Sequence, residues 1–414
     1  MSKASKIYLD HSATTPVDRR VLEAMLPYFK DIFGNASSIH SFGQEARAAV
    51  DKARETIAEF LNCKTSEIIF TSGGSESDNL AIKGVVESRS FGFAQDDNAR
   101  KPHIVTSAFE HHAILDTIKE LEVDGKIEAT YVKPNRDGLI EVADVEKAIK
   151  KNTVLASIMY VNNEIGTVQP IREIGKMIER LNKGREKLIY FHTDAVQAAE
   201  YFPMNVDFLH VDLLTMTAHK IYGPKGVGLL YVRNGTPIKH QIVGGGQEYK
   251  KRAGTENVAG IVGFAAAVSV IARIRQPAET KQSKNEIATP SGLAMTRLRD
   301  KLIDGLLKIP NSFLNGSREQ RTPANVNISF INAEGESILL NLDMEGIAAS
   351  TGSACTSGSL EPSHVLIAMG LKPEECHGSV RFTLGRETTE EEIGKVLEIM
   401  PKIVEKLRKM SPLK

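Results

Sequence analysis

Four short stretches of this 414-residue chain hold residue types that could act together on a small molecule. In residues 215–226, Lys220 follows an apolar run and the chain turns at Gly223-Pro224. Burial behind a strand disfavours the ammonium, and the lowered pKa is what an amine nucleophile toward a carbonyl requires. A loop lysine snorkelling to water reads the same way. In residues 190–197, Asp194 closes an apolar run, where its carboxylate could pair with a cationic ring nitrogen or cap a helix. In residues 70–79 a strand pattern runs through Gly73-Gly74 into a helical one. Backbone N–H groups there, with the hydroxyls of Ser75 and Ser77, suit a phosphate; an ordinary capped helix start is the alternative.

The fourth stretch, residues 349–359, is a run of small and hydroxyl residues around Cys355, with neither a helical nor a strand period. It predicts a mobile loop. A thiol there is poorly explained as core packing, which favours a nucleophile. Cys63 and Cys376 have no such surroundings and read as inert. Pyridoxal phosphate would satisfy the phosphate turn, the strand-end acid and the desolvated lysine, and a thiol acting on its bound substrate would satisfy the fourth feature. His111-His112 is a poor metal pair because adjacent helical side chains point apart, and no zinc is expected.

The elements that must position these residues are short apolar runs alternating with helical patterns. Strands are predicted at 68–71, 103–106, 154–158, 188–191, 209–213 and 227–232, with Pro170 opening one helix between them. Such alternation predicts an α/β domain with ligands at the carboxyl ends of the strands. Two polar stretches, 88–101 and 275–292, read as loops; a smaller α+β domain follows from Leu293, closing in a charged helix from about Thr389.

Lys plus Arg number 52 against 52 Asp plus Glu, so no net field recruits nucleic acid or an anionic membrane. The longest uncharged apolar stretch, 258–272, is shorter than the roughly 20 residues a bilayer needs and reads as a buried helix. Three cysteines in such a length argue against a disulfide framework. No secretory leader is visible, and a cytoplasmic protein is expected.

The sequence resembles the cysteine desulfurases of the NifS/IscS type, within the class-V aminotransferase group. The likeness runs through residues 8–16, 34–40, 72–79, Glu110-His111, 161–166, 194–197, 219–225, 252–255, 352–357 and 380–385. The resemblance implies the fold type I architecture of pyridoxal-phosphate enzymes. Residues 15–270 would form the large domain with a mostly parallel mixed sheet covered by helices; 1–14 and 271–414 would form the small one. It implies that Lys220 holds the cofactor and later moves the substrate α-proton, that Asp194 meets the ring nitrogen and Gln197 the phenolic oxygen, and that His111 stacks on the ring as a candidate acid/base. Gly74, Ser75, Thr217 and His219 would bind the phosphate, with Thr255 supplied by a second subunit of a homodimer. Asn163, also placed against the cofactor, would join Arg381 and Asn35 in holding the carboxylate of L-cysteine. Cys355 would take the sulfur as a persulfide, releasing alanine, and pass it to an iron–sulfur scaffold protein or a tRNA-thiolation relay. A transient role for Cys355 as a cluster ligand on a scaffold is a further implication. A selenocysteine lyase, or a non-catalytic subunit of a sulfur-transfer complex, is the competing expectation. Thr217-Ala218 stands where the family often has Ser-Gly, and Gly74-Ser75 where Ala-Thr is common; each keeps a hydroxyl.

Overall fold

A computed structural model describes residues 6–93, 101–275, 290–351 and 361–410. The first strand, β1 (Ile7–Tyr8), pairs in parallel with β11 (Ile347–Ala348), far along the chain. Seven strands then form the main sheet: β2 (Ile68–Thr71), β3 (His103–Ser107), β4 (Glu128–Val132), β5 (Thr153–Ser157), β6 (Tyr190–Asp194), β7 (Leu213–Thr217) and β8 (Gly228–Val232). Their order is β2-β8-β7-β6-β5-β3-β4, with β8 alone running against its neighbours. Every residue of β2, β3, β5, β6, β7 and β8 is buried, as expected for strands covered by helices on both faces. β9 (Ser312–Leu314), β10 (Asn325–Phe330) and β12 (Ser379–Thr383) make a separate antiparallel sheet, order β12-β10-β9. Against it pack the helices Pro290–Leu306, Gly335–Met344 and Glu390–Met410, around a core that also takes in Ile7 and Leu9.

Most of the predicted strands lie where the apolar runs are, and the exceptions have local causes. The 209–213 run is not a strand. Asn205 caps a short helix, Val206–Leu209, by accepting from the N–H groups of Asp207 and Phe208; His210 in the left-handed region then ends it, and the strand starts at Leu213. The 188–191 run enters its strand two residues late, which makes Asp194 the last residue of β6. β4 had no apolar signature because it is a sheet edge, partly exposed over most of its length. Pro170 is the residue before the Ile171–Asn182 helix, not its first turn. The helix from Gly74 runs on to Phe93, into the stretch read as a loop, and residues 94–100 and 276–289 lie outside the described ones. No helix among the described residues is long and apolar enough to cross a membrane.

The edge at β2 is fastened by a buried ion pair. Arg54, on the Ser41–Leu61 helix, donates from Nη1 and Nη2 to the two carboxylate oxygens of Glu248 at 3.0 and 2.7 Å, and from Nη1 to Ile68 O at 2.7 Å. Glu248 also accepts from Phe70 N–H. The turn that carries it has three consecutive residues with positive φ: Glu248, Tyr249 and Lys250. Left-handed backbone at non-glycine residues persists only where the surroundings impose it, and here the pair does so. Glu248→Ala leaves Arg54 charged and buried, so we expect a loss of about 3–5 kcal/mol in urea unfolding. A loss below about 1 kcal/mol would show that the turn is held by something else.

Candidate active site

Six strands of the main sheet point their carboxyl ends to one edge, and the chemically capable residues gather there. Lys220 closes a single 3-10 turn, Ala218–Lys220, directly after β7. Its ammonium donates to Ser12 O and, at 2.8 Å, to Ala13 O, both on the segment that follows β1. Gln197 Nε2 donates to the same Ser12 carbonyl at 3.0 Å. Asp194, at the end of β6, is buried and accepts from Val196 N–H at 2.9 Å through Oδ1. Burial lifts its carboxyl to about 6; the Val196 N–H and the Lys220 charge pull the other way.

His111 caps the His112–Val123 helix, its Nδ1 accepting from Ala113 N–H at 3.1 Å. That bond puts the proton of the neutral ring on Nε2. Burial, then Lys220, His112 and His364, lower its pKa to about 4. His219 lies beside Lys220, with Nδ1 3.2 Å from Thr14 Oγ1, and burial with the lysine's charge lowers it to about 4 as well. His11, Ser12, Val196, Gln197, Lys220, Asn162 and Asn325 line one cavity that the two sheets share.

The glycine turn behaves as a cradle. A Cβ on Gly228 would lie 2.7 Å from Gly73 Cα and one on Gly74 3.1 Å from Val196 Cγ2, so neither position has room for a side chain without displacement. Ser75 is exposed on the first turn of the Gly74–Phe93 helix, while Ser77 faces inward, bonded to Thr71 Oγ1 at 2.7 Å and to Gly73 O. Ser77 is therefore a structural hydroxyl, not a phosphate group donor. Thr217 is also buried and spends its hydroxyl on Val227 O at 3.1 Å.

Arg381, on β12, reaches back to the main sheet. Its Nη2 pairs with Asp10 at 2.9 Å and its Nη1 donates to Asn163 O at 2.8 Å, while the buried Nε has no partner among the described residues. Asn35 and Thr255 are exposed; Asn35 Oδ1 accepts from Ser37 N–H, and Arg252, just before Thr255, pairs with Glu76. Cys355 lies outside the described residues, but both flanks of its segment are anchored. Ser350 and Arg381 exchange two backbone hydrogen bonds, and Ser363 Oγ donates to Glu164 at 2.5 Å. Next to it, His364 bonds to Glu110 O at 2.9 Å and packs against His112, with ring centroids 4.6 Å apart and the planes tilted by 56°.

The Aminotransferase class-V family model matches residues 7–396. The chain belongs to that family. It is 50% identical over 410 residues to the cysteine desulfurase IscS of Dictyoglomus turgidum, covering 99% of this chain and 97% of the relative. It is 49% identical over 407 residues to the cysteine desulfurase IscS of Methanosarcina thermophila, covering 98% and 94%. Among solved structures, a NifS-like protein superposes with a TM-score of 0.85 at 35% identity, covering 97% of this chain and all of the other. SspA in complex with cysteine gives 0.76 at 36% identity, with 93% and 100% covered.

Two buried carboxyl groups near the site were not picked out from the sequence as its members: Asp78 and Glu110.

The lowered pKa of His111 has a measurable sign. Its folded value lies below the unfolded value, so it contributes stability above about pH 6.5 that is lost as pH falls toward about 4. The ring resonances of His111 should stay constant from about pH 8 to about pH 5. His111→Asn, which keeps a capping oxygen, should flatten that part of the acid branch of the stability curve. Titration of His111 near 6.5 would refute its burial as the cause.

Proposed function

We propose that this protein is a cysteine desulfurase that uses pyridoxal 5'-phosphate to convert L-cysteine into L-alanine and an enzyme-bound persulfide, feeding iron–sulfur cluster assembly. The observation that carries the reading is the placement of Lys220 at a sheet edge with Asp194 facing it, in a chain half identical over its whole length to named desulfurases. The donor set fits the cofactor. There is one amine for an aldehyde, one strand-end acid for a ring nitrogen, and a helix start with glycines and an exposed Ser75 for a phosphate. When bound, that group acts as an electron sink for charge that develops on the substrate's α-carbon.

The chain's own groups divide the remaining work. Lys220 would hold the aldehyde and, as a free amine, would move the substrate α-proton; Ser12 O and Ala13 O, which accept from it in this structure, fix where that amine sits. Asp194 stays ionised against the ring nitrogen, and Gln197, tethered at Ser12 O, presents its amide to the ring oxygen. His111 remains neutral, so its ring can lie on an electron-poor heterocycle without adding a positive charge. Gly74, Ser75 and His219 contribute to the phosphate site, with Thr217 joining only if its hydroxyl leaves Val227 O.

Arg381, together with Asn163 and Asn35, receives the substrate carboxylate. The buried Nε, without a partner among the described residues, offers a donor that a carboxylate could use. The Cys355 thiolate attacks the substrate sulfur; the Cβ–S bond breaks, its electron pair stays with Cβ, and a proton there completes alanine. A scaffold protein of iron–sulfur assembly or a sulfur-relay protein takes the sulfur from Cys355. The working form is a homodimer, in which Thr255 of one subunit completes the phosphate site of the other. Supporting it are the exposure of Thr255 and a run of exposed apolar side chains, Leu22, Leu26, Phe29, Phe33, Ile39 and Phe42, too extended for a free surface.

The purified protein should absorb visible light, and Lys220→Ala should abolish the borohydride-stable adduct. Cys355→Ala should keep the absorption but lose the persulfide, with alanine release down at least about a hundredfold. A protein-bound persulfide formed at the normal rate in that variant would remove Cys355 from the mechanism.

A further inference from the structure

Behind Asp194, inside the sheet, lie two more carboxyl groups that the reaction does not touch. Asp78, on the Gly74–Phe93 helix, is 1% exposed; its carboxyl lies beside the Thr215 hydroxyl, and its Oδ1 has no hydrogen-bond partner among the described residues and stands 3.7 Å from His192 Nε2. Glu110, between β3 and His111, is fully buried. Its Oε1 accepts from Ser107 Oγ at 2.5 Å and from Met159 N–H at 2.9 Å, and its Oε2 has no partner among the described residues. Asp78 feels the charges of Asp194 and Glu110, and Glu110 that of Asp194, so the three form one electrostatic cluster.

The remaining titratable groups near this cluster offer little positive charge. Lys220 faces Asp194 from the end of β7. His192, on β6, is buried and held neutral, its Nδ1 2.9 Å from Ser157 Oγ and its Nε2 3.1 Å from Thr215 Oγ1. His111 and His219 are neutral as well, and His364 meets Glu110 through the backbone carbonyl. One ammonium cannot balance three buried carboxylates, and an ionised oxygen without a hydrogen bond is a far greater burden than a neutral one.

We propose that Asp78 and Glu110 are positioning residues held as neutral carboxylic acids, which leaves Asp194 as the one ionised carboxylate of the cluster and the one base for the cofactor's ring nitrogen. The orientation of the hydrogen bonds follows. The Asp78 O–H donates to Thr215 Oγ1, the Thr215 O–H donates to His192 Nε2, and His192 Nδ1–H donates to Ser157 Oγ, so that every bond in the chain has one proton. Burial pushes Glu110 up to about 8 and Asp78 upward too, in the same direction. With the neighbours neutral, the carboxylate of Asp194 is spread over no other oxygen, and its full charge faces the ring. The statement about the ring nitrogen rests on the function proposed above; the protonation states do not.

Infrared spectra of the cofactor-free protein at neutral pH test the second part directly. Two buried carboxylic-acid carbonyl bands are expected, one lost in Asp78→Asn and the other in Glu110→Gln; a variant that removes no such band shows its residue to be ionised and overturns the proposal for it. The protein loaded with pyridoxal phosphate tests the first part through the pH midpoint of its visible absorption. The two isosteric variants should leave that midpoint within about 0.5 unit, since no charge is removed, whereas loss of an ionised neighbour would move it by about one unit or more and refute the assignment. Asp78→Ala and Glu110→Ala remove the hydrogen bonds and should displace the midpoint, with Asn and Gln restoring it. If an alanine variant fails to fold, the isosteric pair still decides. If the protein never takes up the aldehyde, the functional reading fails while the infrared bands still judge the carboxyls.

Discussion

The ammonium of Lys220 can sit at the end of β7 only because two backbone carbonyls, Ser12 O and Ala13 O, are turned toward it. Those carbonyls belong to a short segment that is itself held from several sides. Ser12 N–H donates to Thr383 Oγ1, Asp10 pairs with Arg381, and Thr15 bonds to His219 O and, through its hydroxyl, to Tyr222 N–H. A few residues near the chain start thus join the main sheet to the three-stranded one and place the Lys220 amine at the seam. A charge taken partly out of water needs such preformed acceptors, and the fold supplies them from a region distant in sequence.

Electrostatics at this edge follow from burial more than from pairing. Fully buried strand ends bring Asp194, Glu110 and His192 into a medium that penalises charge, which raises the acids and lowers the histidine. Lys220 works in the opposite sense on Asp194 and keeps that one acid the easiest to ionise. The result is a site with a defined order of proton affinities, set before any ligand arrives.

Much of this was legible in the sequence, for identifiable reasons. Apolar runs ending in Asp194 and preceding Lys220 mark strands whose ends carry chemistry, and Gly73-Gly74 marks the close approach that Gly228 requires. What was not legible depended on which way a side chain turns. Glu76 behaves as a first-turn acid should, bonding to Ser72 N–H and pairing with Arg252, but Asp78 two positions on points inward. Ser77, also polar, faces the sheet as well. Helical periodicity gives no warning when an inward position is filled by a polar residue whose partners come from another strand. The misplaced strand at 209–213 has the same origin: Asn205 and His210 shape a capped turn out of residues that look apolar in the chain.

The anchoring beside Arg381 has a consequence for sulfur traffic. Cys355 is five residues beyond Ser350, which is locked to β12, and a fully extended chain advances at most about 3.6 Å per residue. Chain length alone therefore limits the reach of Cys355 to about 18 Å from Ser350. Under the function proposed above, a receiver of sulfur from Cys355 must come inside that circle, so the burden of travel falls on the receiver.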